Sequence, residues 1–84
     1  MQVTLVVWDD ANEDEFQALG FSVEEINDVL YNHRNDTRYI DESDGSLALC
    51  VTVGVARTGR RIAVKCAFVC GNPVEVYPVT ARIV

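Results

Sequence analysis

Five of the seven basic residues lie between residues 57 and 82, and these side chains are the best suited to chemistry on an anion. They are Arg57, Arg60, Arg61, Lys65 and Arg82, with only Glu75 as an acid in that range. Guanidinium and ammonium groups bind phosphodiesters and can stabilise the charge that develops on a phosphorane. The function of the chain therefore depends on the elements that position these cations.

Other kinds of site have weaker support in the sequence. No GxSxG, P-loop or GxGxxG motif is present, so an enzyme acting on a small molecule is disfavoured. His33, the only histidine, ends a predicted helix, and the acids from Asp9 to Asp14 act more simply as helix caps. The three cysteines lack the spacing of a zinc site and are expected to be buried, reduced thiols in a cytoplasmic protein. We therefore expect no metal and no cofactor.

The charge of the chain is unevenly distributed. The formal net charge is −6 over 84 residues, but eight acids and no Lys or Arg precede residue 34. The remainder holds all seven bases against five acids, which gives +2. Net acidity argues against a protein that coats nucleic acid or an anionic membrane, and no apolar run is long enough to span a bilayer. A compact basic site on one face remains open.

The length and the hydrophobic periodicity predict a single domain of residues 1–84 with α+β architecture. Two helices, one from Asp10 to about Gly20 and one opened by Ser22, follow a first strand at 2–8. Phe16 and Leu19 form the apolar side of the first helix, and Val23, Ile26, Val29 and Leu30 form that of the second. Four more strands are predicted at 37–41, 46–57, 60–70 and 74–84, with turns at 42–45, 58–59 and 71–73. The order β-α-α-β-β-β-β places both helices on one face of a mostly antiparallel sheet of four to five strands.

A two-residue turn at 58–59 would fix the register of the central hairpin. One face would then carry only apolar pairs and would lie beneath the helices. These pairs are Leu49–Phe68, Val51–Cys66, Val53–Val64 and Val55–Ile62. The opposite, open face would carry Thr52 opposite Lys65, with Arg61 nearby.

The last strand completes this open face. A turn at 71–72 would bring Thr80 and Arg82 onto it, whereas a longer turn or a bulge near Pro78 would reverse the strand. The open face therefore predicts a basic site for a phosphodiester. We predict Arg61, Lys65 and Arg82 as catalytic residues, and Arg57, Arg60, Thr52 and Thr80 as RNA-binding residues. The alternative is a solvated sheet face with ordinary charges.

Several short stretches resemble the BrnT-like toxins, a branch of the RelE superfamily. Residues 7–10, with sequence VWDD, and Asn12 resemble the family's "EWD…N" start, and residues 20–30 resemble its "GVSFEEA…VF" helix. Residues 59–62, GRRI, and residues 76–82, VYPVTAR, resemble "GR-L" and "RIISAR". The matches occur in the same order over nearly the whole chain.

The resemblance implies the toxin of a bacterial or phage type II toxin–antitoxin system. Such a toxin is a cytoplasmic, metal-independent endoribonuclease that cleaves mRNA, either free or on the ribosome, and so inhibits translation. A cognate antitoxin would neutralise it, and both a homodimer and a heterotetramer with that antitoxin stay open. Carried over by position, Arg61 and Arg82 match basic residues of the family's site.

A second interpretation is a RelE-like module that has lost catalysis and binds an antitoxin or a host protein. The eight acids before residue 34 favour it, because they could form a docking surface for a basic segment. The two interpretations differ in one observable property, since only the first predicts that the chain cleaves RNA.

Overall fold

The computed structural model describes residues 2–45 and 47–84, without the side chains of residues 41–44. Two helices pack on one face of a five-stranded, mostly antiparallel sheet, which confirms the predicted class and element order. The elements are β1 (Leu5–Val6), α1 (Asp10–Ala18), α2 (Val23–Tyr31), β2 (Asp36–Asp44), β3 (Leu47–Val55), β4 (Arg61–Gly71) and β5 (Val74–Ile83). The strand order is β1-β5-β4-β3-β2, with β1 parallel to β5 and the other neighbours antiparallel.

Some predicted boundaries differ from the structure. The strand predicted at 2–8 forms only two residues of ladder, and β2 continues through most of the turn predicted at 42–45. The predicted start of the third strand, at Ser46, lies outside the described residues. These differences leave the order of the elements unchanged.

Both helices begin at capped residues. Asp9 caps α1 by accepting a hydrogen bond from the Asn12 amide at 2.9 Å, and the Asn12 side chain accepts one from the Asp9 amide. Ser22 caps α2 as predicted by accepting from the Glu25 amide at 3.1 Å. The helices therefore start where side-chain oxygens satisfy their first amide groups.

The core lies between the helices and one face of the sheet. Phe16 from α1 and Ile26, Val29 and Leu30 from α2 are fully buried, as the predicted apolar faces require. On the sheet side they meet a set of buried residues that includes Ile62, Val64, Cys66 and Val76. By contrast, Leu19 of the predicted apolar side is 44% exposed.

The central hairpin has a three-residue turn, and the expected two-residue turn is wrong. The Ala56 amide donates to the Arg60 carbonyl at 2.9 Å, so residues 57–59 form the turn, and Gly59 has φ +89°. Three-residue hairpin turns commonly place a glycine in this left-handed conformation. The pairing shifts by one residue, so that Val53 lies opposite Ala63 and Cys50 lies opposite Cys66.

This one-residue shift reverses the faces of β3 and leaves those of β4 as predicted. Thr52 and Cys50 are fully buried under the helices, whereas Val51, Val53 and Val55 lie on the open face. A Cβ atom on Gly54 would lie 3.2 Å from Val29 Cγ1, so α2 approaches β3 at a position without a side chain. Small residues on this side of β3 allow that close approach.

The last hairpin turns at 72–73, because Gly71 pairs with Val74, so the turn predicted at 71–72 is wrong by one residue. Lys65 pairs with Thr80 and Cys66 pairs with Pro78, which leaves Val79 as the extra residue. Thr80 and Arg82 lie on the open face as predicted, but Pro78 is buried on the helical side. A second irregularity, between Phe68 and Cys70, leaves Val69 as an extra residue on β4. The two shifts cancel, so Thr80 and Arg82 stay on the open face and the bulge does not reverse them.

Thiol reactivity provides a test of the β3 register. Cys50 and Cys66 are fully buried and Cys70 is half-buried. A hydrogen bond to Cys50, together with burial, raises the pKa of the Cys66 thiol above its ordinary value. We expect iodoacetamide to alkylate Cys70 in the native protein, and Cys50 and Cys66 only after unfolding, as read by mass spectrometry of peptides. Rapid alkylation of Cys50 would instead support the two-residue turn.

Candidate functional site on the open face of the sheet

The open face of the sheet brings Arg61, Lys65 and Arg82 together. Ala63 of β4 pairs with Arg82 of β5, and Lys65 pairs with Thr80. Arg82 therefore lies on the neighbouring strand, at the level of the position between Arg61 and Lys65. Diagonal neighbours across an antiparallel pair lie about 7–8 Å apart, within reach of long side chains. Three cations therefore surround a small area of the sheet.

A depression of about 370 Å³ occupies this area. Lys65, Thr80 and Arg82 line it, together with Val51, Ala63 and Ala81. The small side chain of Ala63 leaves space between the cations. Arg61 and Arg82 form no ion pair with any described residue, so their charges are available to a ligand.

The structure adds Arg38 to this face, a residue for which the sequence pattern predicts no place in the site. Arg38 pairs with Val51, which in turn pairs with Lys65, so all three lie in one row across the sheet. Asp36 lies in the next row, opposite Val53. The signal that could have found Arg38 is its spacing of two from Asp36 and Ile40 in a strand, combined with the correct β3 register.

Thr52 does not belong to this face, and its predicted place beside Lys65 is wrong. Its side chain is fully buried and its hydroxyl lies 3.0 Å from the hydroxyl of Thr37. The one-residue shift of the hairpin turned it toward the helices. Of the two predicted threonines, the structure therefore brings only Thr80 to the cations.

Arg57 and Arg60 contact the helices. Arg60 Nε lies 3.0 Å from Glu25 Oε2, and its guanidinium carbon lies 4.7 Å from the centre of the Phe21 ring. Arg57 Nε lies 3.5 Å from Asp28 Oδ1, and the Arg57 amide donates to the same carboxylate at 3.1 Å. These contacts join the turn of the central hairpin to α2. A role for either residue in binding RNA stays a prediction.

The acidic residues are concentrated on the helical side of the molecule. Asp10, Glu13, Asp14 and Glu15 are exposed along α1 and pair with no described base. The Asn12 amide, with help from the Tyr77 hydroxyl, lowers the pKa of Asp9 below its ordinary value of 3.8. Asp9 is therefore ionised as a helix cap at neutral pH. The two faces of the protein thus differ in the sign of their charge.

The described residues contain neither a metal centre nor a membrane-spanning helix. Among them, no three His, Cys, Asp or Glu side chains lie together in a way that could hold a metal ion. None of the helices in the described part of the chain is long and apolar enough to cross a membrane.

The fold and this face define a small α+β domain with a basic, partly apolar site on the open side of its sheet. No protein-family model matches the chain, and no curated protein or solved structure matches it significantly. The functional argument therefore depends on the residues of the site itself.

Proposed function

We propose that this chain is an endoribonuclease toxin of a type II toxin–antitoxin system, with the open face of the sheet as its RNA-binding site. One observation carries the proposal: Lys65, Thr80 and Arg82 line one depression on a sheet face that no helix covers, and Arg61 lies on the same face, two residues before Ala63 of that lining. A phosphodiester placed there would meet Lys65 and Arg82, with Arg61 on the same face two residues along β4 from Ala63. The agreement between the element order and the sequence resemblance to BrnT-like toxins supports the same class.

The chemistry that suits this site is an intramolecular displacement on RNA. The 2′-oxygen forms a bond to phosphorus while the bond to the 5′-oxygen of the next nucleotide breaks. The proton of the 2′-hydroxyl passes to water, and the Lys65 ammonium donates a proton to the leaving 5′-oxygen. Arg61 and Arg82 stabilise the negative charge that builds up on the non-bridging oxygens. The products are a 2′,3′-cyclic phosphate and a free 5′-hydroxyl.

In this proposal the cell contains a cognate antitoxin, and mRNA is the target. An antitoxin segment that carries acidic side chains would neutralise the cations of the open face. The acidic exterior of α1 would keep naked nucleic acid away from the rest of the surface. Binding to RNA would therefore be local and strongly dependent on salt.

Expression of the chain alone in a bacterial host tests the proposal. We expect growth to stop with the wild type and to continue with the double variant Arg61→Ala, Arg82→Ala, because the two free guanidinium groups of the site are lost. Equal amounts of soluble protein and equal far-UV circular dichroism would show that the variant folds. Full toxicity of the double variant would refute the assignment of the site.

A second candidate is a module that binds a protein and has no nuclease activity. The observation that favours it is the apolar part of the open face, where Val55 is 53% exposed beside half-buried Val51 and Val53. Protein interfaces often combine such apolar residues with arginine. Harmless expression of the wild type, together with no cleavage of RNA by the purified protein, would support this candidate.

A further inference from the structure

A second depression of about 340 Å³ lies on the same open face, nearer the turn of the central hairpin. The residues that form it come from the connection between α2 and β2 and from β2, β3 and β4. They include Asn32, Arg34, Asp36, Val53, Val55 and Arg61. Val53 pairs with Ala63, which lines the first depression, so the two depressions are neighbours.

The connection after α2 holds Arg34 in place. The Asn35 side chain is buried, and its Nδ2 donates to the Val29 and Leu30 carbonyls at 3.0 and 3.1 Å. The Arg34 amide donates to Asn32 Oδ1 at 2.9 Å. These bonds fix the backbone on both sides of Arg34 to the end of the helix. Arg34 is therefore presented to the sheet by an ordered connection.

The charge of the second depression is positive. Neither Arg34 nor Arg61 forms an ion pair with a described residue, and Asp36 is the one acid among the residues that line it. Arg61 lines the second depression and stands on β4 two positions before Ala63, which lines the first. Arg34 and Arg61 thus line the second depression, and Lys65 and Arg82 line the first beside it.

We infer that Arg34 and Arg61 form a second phosphate subsite, so that the open face binds a single RNA strand through at least two phosphates. This inference rests on the proposed function, because it extends the same site toward β2. The exposed surface of Val53 between the two subsites would contact a ribose or the face of a base. Single strands commonly bind to such combinations of basic and apolar side chains.

The subsite predicts that Arg34 matters only for ligands long enough to reach it. A single nucleotide phosphate would occupy the depression of Lys65 and Arg82 and would not contact Arg34. A longer strand would contact both subsites, and its binding would release more counterions. Asp36 would oppose the second phosphate, so its neutral variant should bind the longer strand more tightly.

Fluorescence anisotropy with two probes tests this inference. The first probe is a labelled 2′-O-methyl oligouridylate of about eight nucleotides, which cannot be cleaved. The second is uridine monophosphate, whose binding is measured by its competition with the labelled oligonucleotide. For the oligonucleotide, Arg34→Gln should weaken binding about 10-fold and reduce the slope of log K against log salt by about 0.7. Asp36→Asn should strengthen it. Binding of uridine monophosphate should not change in either variant.

Gln17→Glu is the matched control, since it lowers the net charge by the same amount at an exposed position of α1. It should leave the salt dependence unchanged. Arg34→Gln is also compared with the double variant Arg61→Gln, Arg82→Gln. If Arg34→Gln behaves like the control and the double variant abolishes binding, the second subsite is wrong and the proposed RNA site stands. If the wild type binds neither probe, both proposals are overturned.

Discussion

The variant Asn12→Ala is expected to lose about 3 kcal/mol of its free energy of unfolding, the largest effect on stability that we predict for one side chain outside the hydrophobic core. Asn12 is buried, and its Nδ2 donates to the Val7 carbonyl at 3.0 Å and to the Pro78 carbonyl at 3.2 Å. Its Oδ1 accepts from the Asp9 amide at 2.8 Å. One side chain thus connects the end of β1, the start of α1 and the bulged part of β5.

Alanine would leave all three backbone groups without that partner, and each unsatisfied buried group costs about 1–3 kcal/mol. A domain of this size has a total stability of roughly 4–13 kcal/mol, so the loss would be a large fraction of it. Urea denaturation measures it as a lower midpoint with an unchanged slope. Gln17→Ala is the control, since it removes an exposed amide from the same helix and should change little. If the two variants unfold at the same midpoint, Asn12 does not have this role.

The variant Arg82→Gln is expected to reduce the rate of RNA cleavage about 10²–10³-fold, the largest effect that we predict on activity. Arg82 lies between Arg61 and Lys65 across the ladder, so its guanidinium is the one best placed to contact the same phosphate as both of them. Glutamine keeps a polar, shorter side chain and removes the charge. Single-turnover cleavage of a labelled RNA with the purified protein gives the rate.

Two comparisons make this prediction specific. Arg82→Lys keeps the charge but loses the planar pair of donors, and we expect a loss of rate between the wild type and Arg82→Gln. Gln17→Glu should cleave at the rate of the wild type, because it changes only the charge of the helical face. A rate for Arg82→Gln within about twofold of the wild type would exclude Arg82 from transition-state stabilisation.

Much of the fold was readable from the sequence because most elements have one strongly preferred face. The spacing of Ile26, Val29 and Leu30 defined the buried side of α2, and the alternation in β4 placed Ile62 and Val64 beneath the helices. Both sets are buried as predicted. Together with the capping residue Ser22, these patterns fixed the class and the order of the elements.

The face of β3 could not be read in the same way. Both faces of this strand are largely apolar, so the valines at 51, 53 and 55 were expected inside. The close approach of Val29 to Gly54 requires small residues on the helical side, and the length of the turn was decided by Gly59. The first feature is not visible without the position of α2, and the conformation of Gly59 is not visible without the backbone of the turn. Because side chains in a strand point to alternate faces, the extra residue in the turn puts Thr52 on the helical face and Val53 on the open face.

The candidate site was predicted in part for the same reason. The alternation of residues in β4 and at the end of β5 predicts one shared face for four side chains. The structure places them there: Arg61, Lys65, Thr80 and Arg82. The partners of Arg57 and Arg60 are carboxylates of α2, far away in the chain, and no local pattern reveals such pairs. Arg34 and Arg38 were missed because their places depend on the connection after α2 and on the pairing of β2.

The central claim is that RNA binds to the open face of the sheet, and a nitrogen–proton correlation spectrum of the labelled protein tests it most directly. On titration with the uncleavable oligouridylate, we predict shifts of the amide signals of Ala63, Lys65, Thr80 and Arg82, with those of Glu13 and Glu24 on the helices unmoved. Addition of salt should reverse these shifts, because the contacts are ionic. Shifts confined to the helices, or no shifts at an RNA concentration that saturates known single-strand binders, would contradict the account.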